Sequence, residues 1–259
     1  MERMHRLERE GHVVTLVLDR PDAANALCFP MLLQLRAELE SLRHDRDIRV
    51  LVVTGSGAKA FCAGADLKER AGMSQDQVRR FIVEIRGLMD DIAAMPCPVV
   101  AALNGLALGG GTELALAADI RIAADHVLMG LTETGLGIIP GAGGTQRLPR
   151  LIGLPRAKEL IFTARRVAMD EALAIGLVQR VVPATDLAAA VAELTGRIAA
   201  NAPRAVEMAK WAMDRGYETD LCTGLEIEER AYGAIIPTRD RLEGLAAFRE
   251  KRAPVYTGE

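Results

Sequence analysis

Aromatic residues are scarce in this chain of 259 residues, which holds five Phe, three Tyr and one Trp. A core with so few rings must be assembled from Ala, Val, Ile and Leu, a composition that suits layered strands and helices. Cysteine is sparse too. Cys28, Cys62, Cys97 and Cys222 lie far apart, with no Cys-x-x-Cys pair and no His at ligand spacing. Free thiols are therefore expected, not a disulfide framework or a zinc site. Asp, Arg, Glu or Gly interrupts every apolar run before it reaches the roughly 18 residues of a membrane span. The opening MERMHRLEREGH alternates in charge and lacks the apolar centre of a secretory signal, so the cytoplasm is the expected location. No charge sign prevails: 32 Lys and Arg face 35 Asp and Glu, a net charge of −3. That balance argues against general nucleic-acid or membrane-surface binding.

What is present is an alternation of strand and helix signals. VVTLVL at 13–18 reads as a buried strand that ends at the turn Asp19-Arg20-Pro21-Asp22. Leu32, Leu35, Leu39 and Leu42 recur in steps of three and four, which predicts an amphipathic helix. A second strand runs from Ile48 to Thr54. A long helix follows from Ser74, its predicted N-cap, to Met95, with Phe81, Ile82, Ile85, Leu88, Met89 and Ile92 on one face. VVAAL after Pro98, a short helix TELALAA and a strand from Ile120 to Ala123 complete an α/β pattern with buried strands. Beyond about Ala184 the texture turns to helix after helix, over 186–200, 203–215, 220–234 and 238–250. The reading is a core over residues 1–184 and a helical region over 185–259, whose apolar faces need a surface to dock on, a neighbouring subunit by preference.

Several common motifs fail. Gly141-Ala142-Gly143-Gly144-Thr145-Gln146 lacks the sixth glycine of a dinucleotide fingerprint and follows Pro140, not a strand. No Walker A sequence and no GxSxG nucleophile elbow occurs. His5, His12, His44 and His126 sit in polar or boundary contexts and are expected at the surface.

Two carboxylates stand out by isolation. Glu113 is the only charged residue in GLALGGGTELALAA, and Glu133 the only one in VLMGLTETGLGIIPGAGGTQ. Apolar, glycine-rich surroundings desolvate a carboxylate and raise its pKa toward the range of general acid–base chemistry. Each Glu can instead reach solvent or cap a helix; two of them beside glycine loops favour a paired site. Gly109-Gly110-Gly111 precedes a helix whose first N–H groups have no partner within it. A ligand oxygen can approach such donors closely. The loop Phe61-Cys62-Ala63-Gly64-Ala65-Asp66 offers a second donor, and two would form an oxyanion hole. Close packing accounts for the same glycines equally well.

FCAGADL at 61–67, NGLALGGGTELALAADIRIA at 104–123 and TETGLGIIPGAGGTQRLPR at 132–150 resemble the enoyl-CoA hydratase/isomerase (crotonase) superfamily. The likeness runs from Asp19-Arg20-Pro21 and Asn25-Ala26-Leu27 to the closing FREKRAPVYTGE. Within the family, GADLKER, KELIFTAR, GLEIEERAY and IPTRDRLEGLAAFREKR are most similar to the methylglutaconyl-CoA hydratases.

The resemblance implies a crotonase-like spiral of ββα units with a C-terminal helical trimerisation region, assembling as a trimer or a dimer of trimers. It implies hydration of an enoyl-CoA thioester, with 3-methylglutaconyl-CoA of leucine degradation as substrate. The alternatives are a general short-chain enoyl-CoA hydratase, a Δ3,Δ2-enoyl-CoA isomerase, or an RNA-binding homologue. Coenzyme A enters as part of the substrate, and no separate cofactor or metal is implied. Carried over motif to motif, Glu113 and Glu133 are catalytic, the amides of Ala65 and Gly110 form the oxyanion hole, and Gly141 helps to hold the reacting water. Arg20, Ala24, Ala26, Ala63, Gly64, Asp66 and Leu67 line the coenzyme A groove; Phe248 and Lys251 reach a neighbour's. Retention of both glutamates favours hydration over isomerisation. Thr112, Gly135 and Gly137 depart from the usual pattern and bear on acyl-chain specificity. Lys68 and Arg70 are candidate partners for a distal substrate carboxylate. The first helix mixes Arg36, Glu38, Glu40, Arg43, Asp45, Arg46, Asp47 and Arg49, a poor surface for a phosphate backbone.

Overall fold

A computed structural model describes residues 3–259. Its strands are β1 (His5–Glu10), β2 (Val13–Leu18), β3 (Val50–Gly55), β4 (Ala60–Cys62), β5 (Val99–Leu103), β6 (Leu106–Leu108), β7 (Ile120–Ala124), β8 (Leu128–Gly130), β9 (Val167–Ala168) and β10 (Arg180–Val182). Its helices are α1 (Phe29–Arg43), α2 (Leu67–Ala71), α3 (Gln75–Ala93), α4 (Gly110–Ala117), α5 (Gly144–Ile152), α6 (Leu154–Thr163), α7 (Met169–Ala174), α8 (Leu187–Ala199), α9 (Pro203–Tyr217), α10 (Leu221–Ile235) and α11 (Arg239–Glu250).

The strands form two sheets, ordered β1-β2-β3-β5-β7-β10 and β4-β6-β8-β9. Successive strands go alternately to the large and the small sheet: β3 then β4, β5 then β6, β7 then β8. Helices follow each pair, which makes a spiral of ββα turns. From β2 to β10 the large sheet is parallel, and VVAAL of β5 is buried along its whole length, as a strand covered on both faces requires. In the small sheet β4, β6 and β8 are parallel neighbours. Their C-terminal ends lie side by side, so the three residues or so of each strand deliver three separate loops to one place.

Helix α3 starts where its sequence directs. Ser74 accepts a hydrogen bond from Gln77 N while the Gln77 side chain accepts one from Ser74 N, a reciprocal capping box. Its apolar face, Phe81, Ile85, Leu88, Met89 and Ile92, is buried, and the helix packs on both α1 and α4. Helix α4 is unusual in that all eight of its residues are buried.

One feature differs from the sequence reading. Strand β1, HRLERE, pairs antiparallel with β2, and alternation turns His5 inward, where its Nε2 lies 2.8 Å from Glu38 Oε2. His5 is thus buried and not at the surface. Thr112 lies in the floor of α4, where its hydroxyl donates to Ala107 O at 2.7 Å and accepts from Gly130 N at 3.1 Å. It ties the helix to β6 and β8.

The cysteines are free, with Cys28, Cys62 and Cys97 buried and Cys222 exposed. Among the described residues no helix is long and apolar enough to cross a membrane. Helix α8 packs on the large sheet, while α9 and α10 pack chiefly on each other. The last three helices leave Trp211, Met213, Tyr217, Leu221, Tyr232 and Phe248 exposed.

Candidate functional site

The end of β4 supplies Ala65. Here the chain is stitched to the segment after Arg20: Leu27 N donates to Gly64 O, Asp66 N to Leu27 O and Ala63 N to Ala24 O. The bridge passes over the Ala65 amide, which donates to no acceptor among the described residues. Asn25, in the left-handed region at φ 54°, is fully buried and fixes the turn, donating to Ser56 O and Ala60 O and accepting from Arg20 N. Arg20 donates to Ala26 O and to Asp66 Oδ2, locking the two segments together. Asp66 in turn caps α2 by accepting from Lys68 N and Glu69 N. These backbone bonds and the Arg20 pair hold the Asp66 carboxyl below its usual range although burial opposes them.

The end of β6 supplies Gly109, Gly110 and, one turn on, Glu113. Gly109 takes φ 51° at the helix N-cap, which a side chain would strain, and a Cβ there would lie 3.1 Å from Glu133 Oε1. A Cβ on Gly111 would lie 1.9 Å from the Cys62 carbonyl oxygen, so this glycine is there for close packing of α4 on β4. The Gly110 amide, at the first position of the helix, is one of the donors without an intrahelical partner. A Cβ on Gly64 would be 3.1 Å from Gly110 N, and one on Gly110 would be 3.6 Å from Ala65 N. The two unpaired amides are therefore neighbours, with the positive end of the α4 dipole behind one of them. Both uses of the glycines, packing and ligand approach, occur at adjacent positions.

The end of β8 supplies Glu133. The two carboxylates meet opposite conditions. Glu113, 2% exposed, accepts at Oε1 from Ala142 N and Gly144 N, each at 2.8 Å. Burial raises its pKa, and the two amides and the Arg147 charge oppose that rise. Glu133, 9% exposed, has a buried Oε2 with no partner among the described residues. Burial, reinforced by the negative charge of Glu113, pushes its pKa up to about 7. Side by side they form an unequal pair: both are desolvated, but Glu113 is held by two backbone amides while Glu133, next to the charge of Glu113, has an oxygen without a partner among the described residues.

The structure brings together Glu113, Glu133, Ala65, Gly110 and the loop of Gly141, whose Cβ would touch Ile82 Cδ1 at 3.2 Å. Arg20, Ala24, Ala26, Ala63, Gly64 and Asp66 form the stitched rim beside them, and Leu67 stands exposed at the start of α2. Phe248, 86% exposed, and Lys251, at the end of α11, make no hydrogen bond from their side chains to these loops. Ile82, Arg147 and Asp90 are neighbours of the site that motif reading passed over. The only signal for Arg147 was its place three residues after Gly144, just outside the stretch scanned for lone charges. Among the described residues no cluster of His, Cys, Asp and Glu is arranged to hold a metal ion.

Comparison with known proteins identifies the family. Residues 8–259 match the family model for enoyl-CoA hydratase/isomerase. The chain is 54% identical over 250 residues to the putative enoyl-CoA hydratase/isomerase YngF of Bacillus subtilis, covering 96% of each protein. It is 47% identical over 262 residues to human mitochondrial methylglutaconyl-CoA hydratase, covering 99% of this chain and 77% of that one. The crystal structure of enoyl-CoA hydratase from Bacillus anthracis superposes with a TM-score of 0.98 at 52% identity, covering 99% of this chain and 100% of the other. With the spiral of ββα turns and the match over nearly its whole length, the chain belongs to the enoyl-CoA hydratase/isomerase family of the crotonase superfamily, and it is an enzyme of the hydro-lyase type.

Proposed function

We propose that the protein adds water across the α,β double bond of an enoyl-CoA thioester, with 3-methylglutaconyl-CoA as its substrate. The observation that carries the reading is the unequal carboxylate pair beside two unpaired amides. In this reading Ala65 N–H and Gly110 N–H bind the thioester oxygen and stabilise the enolate charge that grows as water attacks. The ionised Glu113 takes a proton from water as its oxygen bonds to the β-carbon. Protonated Glu133 delivers its proton to the α-carbon. One proton passed from Glu113 to Glu133 restores the pair, so water is consumed and nothing else. Because the groups interact, ionisation of Glu113 raises the pKa of Glu133 and spreads their two titrations apart.

The dicarboxylic substrate is supported by the likeness to a methylglutaconyl-CoA hydratase and by Arg70, whose guanidinium lies 5.6 Å from the Phe81 ring beside Ile82. Arg70 is the cation we assign to the distal carboxylate; exposed Lys68 stands behind it. A short apolar enoyl-CoA is the second reading, favoured by Ile82 and Ile85, which border Gly141 and Gly110. RNA binding finds less support, since Arg36 and Arg43 of α1 pair with Glu84, Asp91 and Glu40. Self-association as a trimer or hexamer is supported by the exposed apolar side chains of α9, α10 and α11. In that assembly Phe248 and Lys251 would approach the coenzyme A site of a neighbour.

Steady-state assays of 3-methylglutaconyl-CoA and crotonyl-CoA side by side, with Glu133→Gln as control, test the reading. A preference for the branched diacid of about 100-fold, roughly 2.7 kcal/mol of transition-state discrimination, is expected. Equal rates would favour the short apolar substrate, and a shifted double bond in place of a 3-hydroxyacyl product would overturn hydration.

A further inference from the structure

Beneath the loop that holds Glu113 lies a cation that takes no part in the chemistry above. Arg147, in the first turn of α5, donates from Nη1 to Ala142 O at 3.0 Å and from Nη2 to Asp90 Oδ1 on α3 at 2.8 Å. The Ala142 carbonyl belongs to the peptide that joins Ala142 to Gly143. On one side of that peptide is Ala142 N, on the other Gly144 N, and these are the two amides that bind Glu113 Oε1. A Cβ on Gly143, which adopts φ 108°, would sit 2.2 Å from Arg147 Nη1, so the Nη1 edge of the guanidinium occupies the space that a side chain would need.

We infer that Arg147, tethered by Asp90, is a positioning residue for Glu113: it fixes the peptide between the two donating amides and thereby keeps Glu113 in the ionised, water-activating form. The inference rests on the reading of Glu113 as the base. A planar guanidinium can grip a carbonyl and a carboxylate at once, in a fixed geometry that a lysine cannot reproduce. Its positive charge acts on Glu113 in the same direction as the amides, against burial. The charged groups that meet here are Glu113 from α4, Glu133 from the turn after β8, Arg147 from α5, and Asp90 from α3. Asp90 also faces Arg86 one turn earlier at 3.8 Å.

The pH profile of kcat/KM for crotonyl-CoA hydration separates this role from bulk stabilisation. In Arg147→Gln the ionised form of Glu113 loses support, its pKa rises, and the acidic limb moves to higher pH by about one unit. The accompanying fall in kcat is about 10- to 100-fold, with KM within about threefold of the parent. Arg147→Lys recovers part of the limb position because it restores the charge. Asp90→Asn, at an exposed carboxylate, shifts the limb in the same direction by less, and decides the matter if Arg147→Gln does not fold. An unshifted limb in folded Arg147→Gln, or in Asp90→Asn if that variant alone folds, overturns the inference. Glu113→Gln serves as the separate control: if it retains parental activity, the reading of the base fails; if it is inactive while the limb stays put, only the role of Arg147 fails.

Discussion

The segments that carry Glu113 and Glu133 are alike in sequence and opposite in construction. Both are apolar and glycine-rich, with a single carboxylate in each. Glu113 stands one turn inside a fully buried helix and receives two backbone N–H groups at 2.8 Å. Glu133 sits at the start of a short 3-10 turn that ends at Gly137 in the left-handed region, and its Oε2 has no partner among the described residues. Composition sets the desolvation common to both, and the local hydrogen bonding with the charge of one on the other makes them differ; in the proposed reading that difference makes one the base and the other the acid. A pair of equal carboxylates would share a proton; an unequal pair assigns it.

The largest expected effect is removal of either carboxylate. Glu113→Gln and Glu133→Gln should each lower kcat by about 10²–10⁴-fold, as measured by hydration of crotonyl-CoA. If only one of them mattered, the two-carboxylate account would break. Gly110→Pro removes one of the two amides assigned to the thioester oxygen in the proposed reading, at the first helix position, where proline is tolerated. A loss of about 10²–10³-fold in kcat is expected, with the fold retained by circular dichroism.

Next is a stability effect that distinguishes the two glutamates. Ionising Glu133 in the native state is unfavourable, because its pKa is about 7 there against an ordinary 4.5. Native protein therefore loses stability as pH rises from about 4.5 through 7. Glu133→Gln, which never ionises, should be more stable than the parent by about 2–3 kcal/mol at pH 8, with the gap closing below about pH 4.5. Urea denaturation at the two pH values checks this, and Glu113→Gln should gain less because its amides lose a charged acceptor. The smallest effect is at the seat of α4. Thr112→Val should cost about 1–2 kcal/mol by stranding Ala107 O and Gly130 N, with kcat changed less than threefold.

Much of this arrangement was legible in the sequence, for a physical reason. Buried strands such as VVAAL and amphipathic helices such as α3 repeat one burial rule over many residues, and Ser74 with Gln77 writes the helix start locally. The small sheet escaped notice because β4, β6, β8 and β9 are only two or three residues each, too short for a period. Strand β1 escaped because its outward residues are charged. The carboxylates were visible as lone charges in apolar text, but their inequality was not, since Ala142 N and Gly144 N carry no side-chain signature. Arg147 belongs with them: its role depends on a carbonyl, which every residue has. Phe248 and Lys251 make no hydrogen bond from their side chains to the loops of the site within this chain.

The inequality of the two glutamates is the centre of the account, and carbon-13 NMR titration of the glutamate carboxyl carbons measures it directly, with Glu113→Gln and Glu133→Gln for assignment. The account predicts a Glu133 carboxyl that titrates near 7 in the parent and moves down in Glu113→Gln, where burial remains but the neighbouring charge is gone. It predicts that Glu113 ionises first. Two carboxyls titrating together in the ordinary range, or Glu113 holding its proton to higher pH than Glu133, would contradict it.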